Sequence, residues 1–118
     1  MHGVNKVVIS GSVTGRILFA TTGQGAAVCT FIVASERPTK GAVLTAHVKV
    51  NVYAEFLVAA CRAKLAKGCY VLVEGELMNR ETPNGRLLEV RAWELIFPNS
   101  IPNDRGAALD DDADDRNL

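Results

Sequence analysis

The chain reads as an all-β domain, a five-stranded barrel with one α-helix between its third and fourth strands. Three observations predict this. Val48, Val50 and Val52 alternate with Lys49, Asn51 and Tyr53, the period of two expected of a half-buried strand. From Ala54 the period lengthens. Phe56, Leu57, Ala60, Cys61 and Leu65 recur at three- and four-residue steps, which lays one apolar stripe on a helix of about three turns. A period of two then returns in Val71, Val73 and Leu77. A lone helix wedged between strands of a five-strand chain is the arrangement of an OB-fold barrel.

Taken in order, the first strand is expected near residues 4–14, with Val7 and Ile9 opposite Val8 and Ser10. Gly11 and Gly15 allow it to bend around a barrel corner. Thr21 to Gly25 is a turn. Gly23 and Gly25 do not make a dinucleotide loop, because Val28 holds the third glycine position and a strand follows instead of a helix. The second strand spans 27–36 and contributes Phe31 and Val33 to the core. Glu36 to Gly41 is a polar loop, and the third strand spans 43–52.

The helix is expected at 54–66. Glu55 in its first turn and Lys64 and Lys67 in its last suit the helix dipole, and Gly68 is placed as a left-handed stop. The fourth strand covers 69–79, with Gly75 where the backbone must bend. Asn84-Gly85 marks a hairpin, and the fifth strand runs over 86–97 to Pro98. All five strands are expected to pair antiparallel. Val48, Val50, Phe56, Leu57, Leu65, Val71, Val73, Leu77, Val90 and Leu95 form the expected core. Residues 99–118, with one proline and six aspartates, read as a disordered acidic tail, which leaves 1–98 as the one folded domain.

The length of 118 residues suits one domain and is too short for two. Net charge is zero, but residues 1–105 hold 12 Lys/Arg against 8 Asp/Glu, and residues 106–118 hold 1 against 5. A mildly basic body implies an anionic partner, and an acidic tail repels or imitates that partner. Cys29, Cys61 and Cys69 lie in apolar elements without CxxC spacing, so reduced thiols are expected rather than a zinc site or disulfides. The start, MHGVNKVVIS, lacks an apolar run long enough for a signal peptide or membrane span. A soluble cytoplasmic protein is expected.

No residue pattern points to catalysis, a metal or a cofactor. His47 has no Cys, Ser or carboxylate at a nucleophile spacing, and His2 lies at the N-terminus. The aspartates of 110–115 lack the glycine and distal glutamate of a calcium loop. The third strand is more informative. With its valines on one side, His47, Lys49, Asn51 and Tyr53 share the other. A cation, an imidazole, an amide and a phenol in a row suit single-stranded nucleic acid, where cations track phosphates and rings stack on bases. The same row also suits an ordinary solvent face. Arg80 and Arg86 on the following hairpin, Arg37 and Lys40 on the preceding loop, and Lys6 near the start extend the candidate phosphate track.

Gly3-Val4-Asn5-Lys6-Val7, Lys67-Gly68 followed by Val73-Glu74-Gly75-Glu76-Leu77, and Glu89 with Ala92 and Glu94 resemble the bacterial single-stranded DNA-binding protein family over residues 3–97. The resemblance implies an OB barrel, a homotetramer or dimer, a nucleoid-associated cytoplasmic location, and sequence-tolerant binding of single-stranded DNA in replication, recombination or repair. It places His47 where the family has a stacking tryptophan, Lys49 at a basic position and Tyr53 at a stacking phenylalanine. The chain also departs from the family. No tryptophan lies near Pro38–Thr39, Thr82 replaces another, and Trp93 falls at a different place. Arg16-Ile17-Leu18 stands in place of an Asp-Pro-Glu turn. The tail ends Asp114-Asp115-Arg116-Asn117-Leu118 without the family's Pro-Phe tip or long linker. Stacking is worth about 1–3 kcal/mol per base, so these departures imply weaker binding. An alternative is an OB interaction module of the primosomal type, which bridges replication proteins and binds DNA weakly. In either case the acidic tail is a candidate docking segment for replication and repair proteins, and no membrane partner is expected.

Overall fold

The computed structural model describes residues 1–98. The expected acidic tail at 99–118 lies outside the described residues. Five strands, β1 (Val7–Thr21), β2 (Ala27–Thr39), β3 (Ala42–Val52), β4 (Tyr70–Thr82) and β5 (Gly85–Ile96), accompany one helix, α1 (Glu55–Lys64). They close a barrel in the order β1-β2-β3-β5-β4, and β4 returns to β1. The expectation of wholly antiparallel pairing needs correcting. β3 and β5 run parallel through Val50–Val90, Asn51–Arg91 and Val52–Ala92. Strand direction cannot alternate all the way around a ring of five, so one parallel seam is unavoidable.

Three strands are longer than the sequence suggested. β1 does not stop near residue 14. Gly15 takes φ +73°, the register shifts between Thr14 and Leu18, and the strand resumes its pairing with β2 as far as Thr21–Ala27. The expected loop at Glu36–Gly41 is instead the end of a hairpin. β2 continues to Thr39, which pairs with Ala42 around Lys40-Gly41, and Gly41 supplies the positive φ of +77° that a tight turn needs. The β4–β5 hairpin is likewise extended to a Thr82–Gly85 pair. Its turn is Pro83-Asn84, with proline's fixed φ suiting the first central position; Gly85 follows at φ +130°.

The core is formed by Val13, Cys29, Phe31, Val33, Val50, Val52, Leu57, Val58, Cys61, Val71, Val73, Val90, Ala92 and Phe97. Val48, Leu65 and Leu95 are packed against it and partly buried. Two expected core residues are not in it. Phe56 is 72% exposed, because Leu57, Val58 and Cys61 form the stripe that faces the barrel. Phe56-Leu57-Val58 is an unbroken apolar run, so two adjacent helical stripes fit it equally well. Leu77 is in phase with Val73 but 44% exposed, although Val90, its partner across the β4–β5 pair, is buried. At Gly11 and Gly75, an added Cβ would lie 2.2 Å from the Ala34 carbonyl oxygen and 2.1 Å from that of Arg91. Close backbone approach at the strand crossings therefore requires glycine at both.

Helix α1 packs on the barrel through Leu57, Val58 and Cys61. It begins without a side-chain cap at Ala54 and ends at Lys64, where Leu65 turns extended. Gly68 is therefore not its stop. That residue, at φ +91°, shapes the turn into β4 and donates its N–H to the Val13 carbonyl at 2.7 Å. Arg62 stacks 4.3 Å from the Phe19 ring centroid and Lys64 lies 5.8 Å from that of Phe97, which ties the helix end to β1 and to the segment after β5. Cys29 and Cys61 are buried free thiols and Cys69 is a partly buried one. Among the described residues no helix is long and apolar enough to cross a membrane.

Candidate nucleic-acid interface

Strand alternation decides which side chains leave the barrel. In β3, Val50 and Val52 point inward and are fully buried, which sends His47, Lys49 and Asn51 outward. Next to them, β2 presents Thr30, Ile32 and Ala34, paired with Asn51, Lys49 and His47 respectively. On the other side, Val90 and Ala92 of β5 are buried, so Glu89 and Arg91 face out. Arg80 of β4 lies on the same outer side, in phase with Met78 opposite Glu89. Tyr53 follows β3 directly. The outer surface of β2, β3 and β5, continued by Arg80 of the adjoining β4, is thus one continuous face that carries three cations, an imidazole and a phenol.

A hydrogen-bonded network spans that face from edge to edge. The Thr30 hydroxyl donates to Asn51 Oδ1 at 3.1 Å, and Asn51 Nδ2 donates to Glu89 Oε1 at 2.7 Å. The other carboxylate oxygen, Glu89 Oε2, accepts from Arg80 Nε at 2.9 Å and sits 3.8 Å from Lys49 Nζ. Glu89 is only 2% exposed, yet its two cationic partners reach solvent. Burial pushes the carboxyl's pKa up, but the hydrogen bonds from Asn51 and Arg80 and the charges of Lys49 and Arg80 outweigh that and hold it below the ordinary value. Arg80 spends only Nε on this contact, and its terminal nitrogens carry four further N–H donors. Beside the network, the Arg91 guanidinium lies 5.1 Å from the Tyr53 ring centroid, within cation–π range.

The structure therefore brings His47, Lys49, Tyr53 and Arg80 to one face. Asn51 is on that face but is only 5% exposed. Its amide is consumed by Thr30 and Glu89, so it is an internal brace and not the exposed contact that strand alternation suggests. Arg86 pairs with Glu81 at 3.0 Å. This cross-strand pair alternates with Arg80–Leu87 and so projects from the opposite side of the hairpin. Arg37 is in phase with Phe31 and Val33, on the reverse side of β2 from the partners of His47. Lys40 sits at the hairpin tip, and Lys6 is exposed and precedes β1. None of these four joins the network. Two members went unforeseen as site residues, Glu89 and Arg91. Their alternation with Val90 and Ala92 was readable, but the parallel seam that sets them beside Asn51 was not. Among the described residues, no group of three or more His, Cys, Asp or Glu side chains could hold a metal ion.

Residues 4–97 match the model of the single-strand binding protein family. Among solved structures, the barrel is similar to a chain of the Plasmodium falciparum SSB complex with ssDNA, with a TM-score of 0.74 and 23% identity. The match covers 82% of this chain and 96% of the other. At that identity the likeness speaks for the barrel itself. No curated protein sequence matches the chain.

Proposed function

The chain belongs to the single-strand binding protein family, and from that premise we propose that it binds single-stranded DNA along the outer face of β2, β3 and β5. The observation that carries this is the meeting of Lys49, Arg80 and Arg91 with the Tyr53 ring on one face. A single strand needs both kinds of group. Cations neutralise phosphates regardless of sequence, and a ring offers each base a surface of the same kind. The binding is non-catalytic. Three cations on the face give a slope of log affinity on log salt of about −2, from roughly −0.7 per phosphate neutralised on a single strand. Arg86, Arg37, Lys40 and Lys6 contribute as peripheral contacts where a longer strand reaches them.

The same reading extends to the setting. The protein serves replication, recombination or repair in the bacterial cytoplasm, associated with the nucleoid. It works as a homo-oligomer, a tetramer or a dimer, and its acidic tail is the segment offered to other replication and repair proteins. An apolar area on the outside of β1, β4 and β5 supports self-association. Val8, Tyr70 and Ile96 are exposed there around the Ser10–Leu72–Ile96 register, where Ser10 Oγ lies 3.1 Å from the Tyr70 hydroxyl. The primosomal-type module gains support from the scarcity of rings, since His47, Tyr53 and, at the β5 end, the half-exposed Trp93 are the rings that the described outer face offers. A salt-resolved titration against oligo-dT, oligo-rU and duplex DNA separates the two readings. Tight, salt-dependent binding to oligo-dT with little for duplex is expected. Weak affinity that is indifferent to salt would favour the interaction module instead.

A further inference from the structure

One buried carboxylate at the centre of a surface meant for phosphates is an odd choice. Placed among Lys49, Arg80 and an incoming strand, Glu89 repels the ligand and cancels part of the charge that attracts it. The barrel does not need it there for packing, because Glu89 faces outward while Val90 and Ala92 fill the core. Its contacts show what it supplies instead. Arg80 comes from β4, Lys49 from β3, and Asn51, fixed in turn by Thr30 of β2, holds the second oxygen of the carboxylate.

We propose that Glu89 is the positioning residue of the DNA-binding face: it fixes Arg80 and Lys49 at set places and trades electrostatic strength for order. Arg80 bonded through Nε presents its terminal donors in one direction, so the fork meets a phosphate without first being immobilised. Lys49, at 3.8 Å, is held near the carboxylate but not hydrogen-bonded to it, and is readily transferred to a phosphate. Asn51 and Thr30 act through Glu89 and do not themselves reach the strand. This assignment rests on the reading of the face as the single-strand site.

The two halves of the trade respond differently to salt, which makes the proposal testable. Glu89→Gln keeps an oxygen for Asn51 but removes the charge that pairs Arg80 and Lys49. One more uncompensated cation on the face steepens the salt slope by about 0.7. The loss of order lowers affinity at every salt concentration. Relative to the native protein, Glu89→Gln should therefore lose about tenfold in affinity for oligo-dT between ~20 mM and ~0.5 M salt. The plots of log affinity against log salt should converge or cross toward low salt. Parallel lines, displaced in either direction, would overturn the assignment, because a merely structural role lowers affinity uniformly.

Arg80→Lys provides the second arm, on a half-exposed residue where lysine keeps a cation beside Glu89. It keeps the charge but loses the fork, so affinity should fall about fivefold or more with an unchanged slope. An Arg80→Lys protein that binds like the native one would also overturn the proposal. If the native protein binds no single strand at all, the failure lies with the proposed function and not with Glu89.

Discussion

Tyr53 is the residue whose removal should cost the most binding. It is the ring set among the cations, and the Arg91 guanidinium already lies 5.1 Å from its centroid. One side of the ring is therefore engaged by a cation, and Tyr53 is only partly buried, which leaves ring surface for a base. Replacing Tyr53 by alanine removes a stacking contact of about 1–3 kcal/mol, which corresponds to roughly 5- to 150-fold in affinity at 1.4 kcal/mol per tenfold. The same change strips Arg91 of its ring, so Tyr53→Ala and Arg91→Ala should be less than additive in a double-mutant cycle, with a coupling of about 0.5 kcal/mol or more. The Tyr53→Phe protein keeps the ring and should stay close to native. Fluorescence anisotropy with labelled oligo-dT at moderate salt measures the native protein and all four variants. A Tyr53→Ala protein within twofold of native, with an unchanged melting temperature, would refute base stacking at this position.

Three other outcomes are expected. Leu57 lies on the helix stripe that enters the core, so Leu57→Ala should cost about 2–5 kcal/mol and lower the melting temperature by about 10 °C or more; an unchanged thermal melt would mean that α1 is not packed on the barrel. Glu89 has a folded pKa below its ordinary 4.5, so its ionised form is favoured by the fold: its contribution to stability is complete above pH 4.5 and is lost as pH falls through the lowered folded value. Urea melts should therefore show an acid-side loss that is shallower in Glu89→Gln, and identical pH profiles would remove the network's role in stability. Deleting residues 106–118, which carry five aspartates and one arginine, should tighten oligo-dT binding most at low salt, with the gain fading as the Debye length shrinks; an unchanged low-salt affinity would assign the tail to a partner protein alone.

Much of the barrel was legible because alternation is a local property. The valines of β3 and the Val71–Val73 pair of β4 disclose their faces without reference to any neighbour, and the change of period at Ala54 places the helix within a residue or two. The errors arose where a local pattern admits two answers. Phe56-Leu57-Val58 fits two helical stripes, and packing against β2 selects the second. Glu36 to Gly41 reads as a loop by composition, but eleven consecutive β2–β3 pairs carry the ladder through it to Thr39–Ala42. The site was only half legible for a related reason. Lys49 and Tyr53 can be placed from β3 alone, but Asn51 is exposed or buried according to what stands beside it. Its neighbour is Glu89, 38 residues away, brought there by a parallel seam between strands that are not consecutive in the chain. Arg86 shows the same limit in reverse, since one residue of phase sends it to the far side of the hairpin.

The central claim is that the outer face of β2, β3 and β5 receives the DNA, and one reporter tests it most directly. The chain contains a single tryptophan, Trp93. Changing it to phenylalanine and replacing His47 by tryptophan moves the chain's one indole from the β5 end of the face to β3, beside Ala34 and two residues from Lys49. Addition of oligo-dT should quench that indole, saturate with the binding isotherm measured by anisotropy, and reverse with salt. An indole that keeps its native emission while the oligonucleotide is demonstrably bound would place the strand elsewhere on the barrel and contradict the account.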